Sequence, residues 1–384
     1  MSAPVPVWLD CDPGHDDVFA ILLAAYHPGI RLLNISTVHG NASLDKTTNN
    51  ALSVLKAIGK HEEVTVYPGY AQALERPSIL APTEIHGESG LDGTDLLPKP
   101  ATQADRSVSA VDAMAAALRA TEPGTAWLVA TGGLTNAGAL FLKYPELAGH
   151  IKGLSIMGGS VGGGFTAAPL GKVDGVERIG NYTKWAEFNV LIDPEAAASL
   201  FDNEVLKGKT TLVALDLTHL VLATKEVQEQ ILYGPNYQGE KTGKGKTELR
   251  TMLVELLNFF AATYRDTFGI VEGPPLHDPL AVAAVLTGTA HEIPFYDFDP
   301  TGEEKRPERF DVKVVTEGSI QDALQHGHLE TGRTLVTPLP PGTPGVRIPR
   351  GLDMALFWKV IEECCQRADE TNSKAAAAAA ATAV

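Results

Sequence analysis

The stretch Pro6-Val-Trp-Leu-Asp-Cys-Asp-Pro-Gly-His-Asp-Asp17 joins a short apolar run to four carboxylates, Asp10, Asp12, Asp16 and Asp17, within eight positions. Val5–Leu9 has the length and composition of a buried strand. From Asp16 to Tyr26 the spacing is helical, with Val18, Ile21, Leu22 and Ala25 on one face, and Pro28-Gly29 ends it. A strand running straight into a helix is the first half of a βαβ unit. Four carboxylates at one strand end need a compensating charge if they pack against a core. A hard cation with oxygen ligands meets that need. The stretch therefore predicts a parallel α/β sheet and a metal site at the C-terminal end of its first strand.

Reading outward, Arg31–Val38 is a second strand ending in His39-Gly40-Asn41, Leu44–Ile58 a helix stopped by Gly59, and Val64–Tyr67 a third strand. This alternation predicts an open, mostly parallel Rossmann-like α/β sheet with helices on both faces and the site at the strand C-terminal ends. Gly69–Pro100 breaks the rhythm, and a loop of that length points to function or disorder. Ser109–Ala120 and Gly138–Lys143 read as helices, and Ala126–Ala130, Ile151–Met157 and Leu212–Leu217 as strands. Tyr233–Glu248 is a polar, Gly- and Lys-rich insert, followed by a long amphipathic helix at Thr251–Phe268 and a helix at His277–Leu286. Arg309–Thr316 and Thr334–Val336 suit a hairpin, and Leu352–Arg367 a closing helix. With no repeat and no linker, residues 1–368 are expected to form one domain. The Ala-rich tail 369–384 is expected to be disordered or a frayed helix.

A hydrophobic content of 44% suits a large core, and a net charge of −16 disfavours nucleic acid and anionic membranes as partners. No apolar stretch reaches the ~18 residues of a membrane span, and no signal peptide is evident. Three cysteines, Cys11, Cys364 and Cys365, argue against a disulfide framework and for a cytoplasmic setting.

Polar clusters follow several predicted strands: Asp10–Asp17, Val38-His-Gly-Asn41, Gly133-Leu-Thr-Asn136 and Met157-Gly-Gly159. With His86-Gly-x-x-Gly-Leu, the run Asn181-Tyr-Thr-Lys-Trp-Ala-Glu-Phe-Asn189, Asp193-Pro-Glu and His277-Asp-Pro, they make an ordered series over residues 5 to 290. In this series the chain resembles the inosine–uridine-type nucleoside hydrolases, which cleave the N-glycosidic bond of ribonucleosides. The resemblance implies a Ca²⁺ ion held by Asp12, Asp17, Asp278 and the backbone carbonyl of Thr135. It implies Asp12 as general base for a metal-bound water, and a ribose-binding set of Asp10, Asp16, Asn41, Asn181, Glu187 and Asn189 with Met157 nearby. His277 stands either as the acid for the leaving base or as a structural residue, and His86 as a base contact or a pocket closure. A homodimer or homotetramer is also implied.

Base contacts are the least constrained. Thr224 and Gln228, one helical turn apart, are placed to meet a pyrimidine edge with Tyr233 stacking on it, although Thr224 also suits a helix N-cap. Uridine is the favoured substrate, with a purine-preferring or broad-specificity enzyme as the alternative. A helix N-cap accounts for one or two of the opening carboxylates, not four. Asp-x-Asp after an apolar strand also marks aspartyl-nucleophile phosphatases, but these carry Thr or Val where this chain has Gly14. A non-catalytic nucleoside- or calcium-binding protein would lack a ligand or the base, and none is lacking. Two departures from the family pattern stand out: Gly133 where Pro is common, and extra residues at 168–178 and 234–246.

Overall fold

In the computed structural model, which describes residues 3–382 apart from 78, 80–82, 174, 303–304 and 327, β1 (Val5–Cys11) is buried along its whole length. Its side chains alternate between two cores: Val7, Leu9 and Cys11 enter one, Trp8 the other. Burial on both faces explains why the run is continuously apolar. β2 (Ile30–Thr37), β3 (Val66–Pro68), β4 (Trp127–Ala130) and β5 (Gly153–Met157) follow, then a small hairpin of β6 (Lys172–Val173) and β7 (Val176–Glu177), then β8 (Thr210–Val213). The main sheet has the order β3-β2-β1-β4-β5-β8, with every pair parallel.

The chain thus winds outward from β1 through β2 and β3, then returns to lay β4, β5 and β8 on the other side. The order switches between β1 and β4, and such a switch opens a crevice at the carboxyl ends of the strands. Helices Asp17–Tyr26, Glu248–Phe268, Asp278–Ala284 and Met354–Thr382 cover one face; Ala110–Arg119, Thr135–Lys143 and Pro194–Phe201 cover the other. β9 (Phe295–Tyr296) pairs with β12 (Gly351–Leu352), and β10 (Phe310–Val314) pairs antiparallel with β11 (Thr334–Pro338), the expected hairpin partners. Among the described residues, no helix is long and apolar enough to cross a membrane.

Two elements differ from the sequence reading. The strand expected at Leu212–Leu217 stops at Val213 and becomes a short helix, Leu215–Thr218. Asp216 draws the chain aside there, its carboxylate accepting the Val161 and Gly162 amides at 2.7 and 2.8 Å. The closing helix, expected to end at Arg367, runs on through Thr382, so the segment from 369 takes the helical one of its two expected states. Alanine is the strongest helix former, and Asp369 is drawn inward by a fully buried arginine. Arg250 Nε donates to Asp369 Oδ2 at 2.5 Å, its NH2 to Glu362 Oε1 at 3.0 Å, and its NH1 to the Ile231 carbonyl at 2.7 Å.

Arg250 thereby ties the start of the long helix Glu248–Phe268 to the closing helix and to the helix Lys225–Tyr233. Removing it strands two buried carboxylates. Arg250→Ala is expected to destabilise the protein by about 3–5 kcal/mol, read as a lowered midpoint in urea unfolding; a loss within experimental error would show that the cluster is not a structural tie.

Candidate active site

The loop after β1 places its carboxylates at the mouth of the crevice. Asp12 is fully buried and clasped by two glycines: a Cβ at Gly40 would collide with its Oδ2, and one at Gly132 with its Oδ1. The Asn41 amide donates to Asp12 Oδ2 at 2.8 Å, and Asp12 Oδ1 is buried with no partner among the described residues. Asp17 accepts the Gly14 amide on Oδ2 and the Thr131 hydroxyl on Oδ1, both at 2.9 Å. Asp278 opens the helix Asp278–Ala284 from across the crevice, and its amide donates to Asp16 Oδ2 at 3.4 Å. One carboxylate oxygen from each of Asp16, Asp17 and Asp278 lies within 4.8 Å of the others.

Burial is the main cause that raises every carboxyl pKa in this group, with repulsion from neighbouring carboxylates adding to it at Asp12, Asp17 and Asp278. Asp17 is pushed up to about 7, Asp12 and Asp278 well above the usual carboxylate range, and Asp16 in the same direction. Oxygen-only donors, an orphaned buried oxygen on Asp12 and mutual repulsion all fit a hard divalent cation. The cluster can therefore hold a metal ion.

Above this floor is a cavity of about 390 Å³, within the range of roughly 300–1,000 Å³ usual for small-molecule sites. Asp16, Asn41, Thr131, Met157, Asn181, Glu187, Asn189 and Asp278 line its lower part. Glu187 caps the helix Phe188–Ile192, its Oε2 accepting the Gly159 and Val190 amides at 2.8 and 3.1 Å and its Oε1 the Asn189 amide at 2.9 Å. Burial still holds this carboxyl up at about 7. Asn189 Nδ2 donates to the carbonyls of Thr131 (2.9 Å) and Met157 (3.2 Å), joining the ends of β4 and β5.

The roof is the long helix Glu248–Phe268, which presents Phe260, Thr263, Tyr264, Thr267 and Phe268. His277 is buried, with Nδ1 2.6 Å from Thr218 Oγ1 and Nε2 2.7 Å from Tyr264 Oη. Burial lowers its pKa to about 3 and raises that of Tyr264 well above the ordinary phenol value, so both are uncharged at neutral pH. His86, from the short helix Thr83–His86, lines the cavity as well.

Most residues singled out from the sequence meet here, and four sit elsewhere. Asp10 lies behind the cavity, its Oδ1 accepting from Ser36 and from Asn136 Nδ2. Thr135 begins the helix Thr135–Lys143 and donates its hydroxyl to Asp193 at 2.8 Å; Thr131, four residues earlier at the end of β4, occupies the cavity position instead. Thr224 caps the helix Lys225–Tyr233 through the Val227 amide, and Gln228 Nε2 donates to the Ala223 carbonyl at 2.9 Å. Neither lines the cavity, and Tyr233 stacks on Tyr237 at 4.8 Å. The face that does line it, 260/263/264/267/268, was present in the sequence as helical spacing. Its signal is two threonines at 263 and 267 interrupting an aromatic stripe.

Comparison with known proteins agrees with this geometry. Residues 7–359 match the family model described as inosine-uridine preferring nucleoside hydrolase. Uridine nucleosidase of Saccharomyces cerevisiae is 38% identical over 372 residues, covering 96% of this chain and 98% of the yeast protein. Pyrimidine-specific ribonucleoside hydrolase RihA of Shewanella sp. (strain MR-4) is 36% identical over 281 residues, 73% of this chain and 77% of that one. The solved purine-preferring ribonucleoside hydrolase of Gardnerella vaginalis superposes with a TM-score of 0.72 at 25% identity, over 94% of this chain and 99% of its own.

The raised carboxyl pKa values set a pH dependence. Asp10 and Asp17 titrate at about 7 when folded, against about 4 when unfolded. They release protons on unfolding, so their contribution to stability is complete below about pH 4 and is lost as pH rises through about 7. The cation-free protein should melt progressively lower from about pH 5 to pH 8, and the rise in Tm on adding Ca²⁺ should grow over the same interval. A Ca²⁺-induced shift independent of pH would contradict a carboxylate site.

Proposed function

This chain belongs to the inosine-uridine preferring nucleoside hydrolases and is an N-glycosyl hydrolase; from that premise we propose that it hydrolyses ribonucleosides, uridine foremost, to ribose and free base with Ca²⁺ bound at the Asp cluster. The observation that carries the reading is the buried, unpartnered Asp12 Oδ1 beside the oxygen-only group of Asp16, Asp17 and Asp278, beneath a cavity of nucleoside size. The identity to the yeast enzyme named uridine nucleosidase and to a pyrimidine-specific hydrolase supports the preference for uridine.

In this mechanism Asp12, Asp17 and Asp278 would hold the cation, with Thr131 as the strand-end threonine in place of Thr135. A cation bound there would supply a lowered pKa for water and an offset to the negative charge of the cluster. Asp12 Oδ1 accepts the proton of the attacking water as the oxygen joins C1′ and the bond from C1′ to the base nitrogen breaks. Asp16, Asn41, Asn181, Glu187 and Asn189 engage the ribose hydroxyls with directional donors and acceptors. Carboxylates around the sugar favour the positive charge that develops on its ring in oxocarbenium-like states.

The leaving base lies beneath the aromatic roof. Its nitrogen takes up a solvent proton relayed through the Tyr264 hydroxyl and His277, two groups in contact at 2.7 Å, while Asp12 returns the water's proton to solvent, so one proton is taken up and one released per turnover. Because burial keeps His277 neutral, the pair passes a proton along rather than storing one. Buried thiols at Cys11, Cys364 and Cys365, all free, support a cytoplasmic setting, and we place the chain in a homodimer or homotetramer on its family resemblance.

With Ca²⁺ present, uridine should release reducing sugar, and a chelator should abolish the release; no sugar from any common ribonucleoside would refute the hydrolase reading. Asp12→Ala should lose about 10²- to 10⁴-fold in kcat, and near wild-type turnover would remove Asp12 as the base. In a panel of uridine, cytidine, inosine and adenosine, Tyr264→Phe should lower kcat most for the base with the poorest leaving nitrogen, while Thr224→Ala leaves the ranking unchanged. A ranking altered by Thr224→Ala instead would return base recognition to the helix Lys225–Tyr233.

A further inference from the structure

His15 takes no part in the chemistry described so far, yet it is fully buried next to the cavity wall. Its Nε2 lies 2.8 Å from the Asp92 carbonyl oxygen, and its Nδ1 3.0 Å from Nδ1 of His86. The ring is held flat by Phe259 (centroids 5.1 Å apart, planes 6° apart) and stacks on His86 at 5.2 Å. Gly14 permits the approach: a Cβ there would lie 2.7 Å from His86 Nδ1.

A carbonyl oxygen only accepts, so the hydrogen between Asp92 and His15 sits on His15 Nε2. In a neutral ring His15 Nδ1 then carries a lone pair, and the 3.0 Å contact requires the hydrogen to be on His86 Nδ1. That leaves His86 Nε2 with its lone pair. This atom has no hydrogen-bond partner among the described residues, and His86 lines the cavity. The opposite polarity needs hydrogens on both His15 nitrogens, whereas the two atoms those nitrogens face, the Asp92 carbonyl oxygen and His86 Nδ1, are uncharged and the ring is packed between Phe259 and Phe260.

We propose that His15 is a positioning residue that fixes His86 in the Nδ1–H tautomer, so that His86 presents a hydrogen-bond acceptor to the nucleoside. The neutral His86 ring then receives a donor from the substrate, a ribose hydroxyl or a base N–H. It does not protonate the leaving base, and the proton for that step comes from the Tyr264–His277 side. The tautomer itself stands on the contacts above; its consequence for turnover rests on the nucleoside reading of the cavity.

The test is two-bond ¹H–¹⁵N correlation spectroscopy on the Ca²⁺-loaded protein with ¹⁵N-labelled histidine, His86 being assigned with His86→Gln. Wild type should show His86 protonated on Nδ1 with a pyridine-like Nε2 shift. His15→Phe keeps the ring stacking and removes the acceptor; His86 should then shift toward Nε2–H, with a loss in kcat/KM of about 10- to 100-fold, the size typical of an orienting partner. His15→Gln offers both an acceptor and a donor and should restore most of the tautomer and the activity. A wild-type His86 protonated on Nε2, or an unchanged tautomer in His15→Phe, would overturn the proposal. So would a kcat/KM within about twofold of wild type in a folded His15→Phe whose tautomer has switched. If His15→Phe does not fold, the wild-type spectrum and His15→Gln decide. Failure of the hydrolase reading would instead appear as absent turnover with the tautomer intact.

Discussion

Negative charge buried without a counter-charge is the constraint on which the rest of the structure depends. Asp12, Asp16, Asp17 and Asp278 are all buried and close enough to repel one another. Three features answer the repulsion locally. Backbone amides at Gly14, Asn41 and Asp278 point at the carboxylates. The Thr131 hydroxyl donates to one of them. Glycines at 40 and 132 let the chain close around Asp12 where any side chain would collide. None of these contributes a full positive charge, which is why the arrangement calls for a cation.

Sheet topology supplies the geometry. The switch in strand order between β1 and β4 puts the loops after both strands on one crevice. Asn189 then bonds the ends of β4 and β5 together beside it. Of the four carboxylates only Asp278 comes from far along the sequence, and it arrives on a helix packed against the first one. Three carboxylates of the floor thus come from one short stretch, which the end of β4 and the helix of Asp278 close over from far along the chain. The roof is built the other way, from a long helix anchored at its far end by Arg250 to the closing helix.

How much of this was legible in the sequence follows from that division. β1, the first helix and the Asp cluster could be read because an unbroken apolar run followed by charges has few physical solutions. The order of polar loops after strands was enough to converge on one crevice. Thr131 rather than Thr135 lines the cavity, and the sequence could not separate them because a helix start and a site loop use the same residue types four positions apart. Thr224 and Gln228 were misplaced because helical spacing says which residues share a face but not what that face meets. The roof residues on Glu248–Phe268 were hidden in a pattern that reads as core, since aromatic side chains above a nucleobase and in a core have the same periodicity. The tail beyond Ala368 was left between disorder and a frayed helix because nothing local to it announces the buried arginine 119 positions away that fixes Asp369.

The contacts of His277 set it apart from the other cavity histidine. Both of its ring nitrogens face hydroxyl groups, Thr218 on one side and Tyr264 on the other. A hydroxyl donates or accepts with equal ease by rotating about its C–O bond, so the direction of that three-member chain is not built into the fold. It reverses without any heavy atom moving. A group that gives up a proton in one half of a catalytic cycle must recover it in the other, and a chain with reversible direction does so at no structural cost. The two cavity histidines therefore differ in kind: His86 meets a ring whose far nitrogen faces a backbone carbonyl, while His277 lies between two hydroxyls free to rotate.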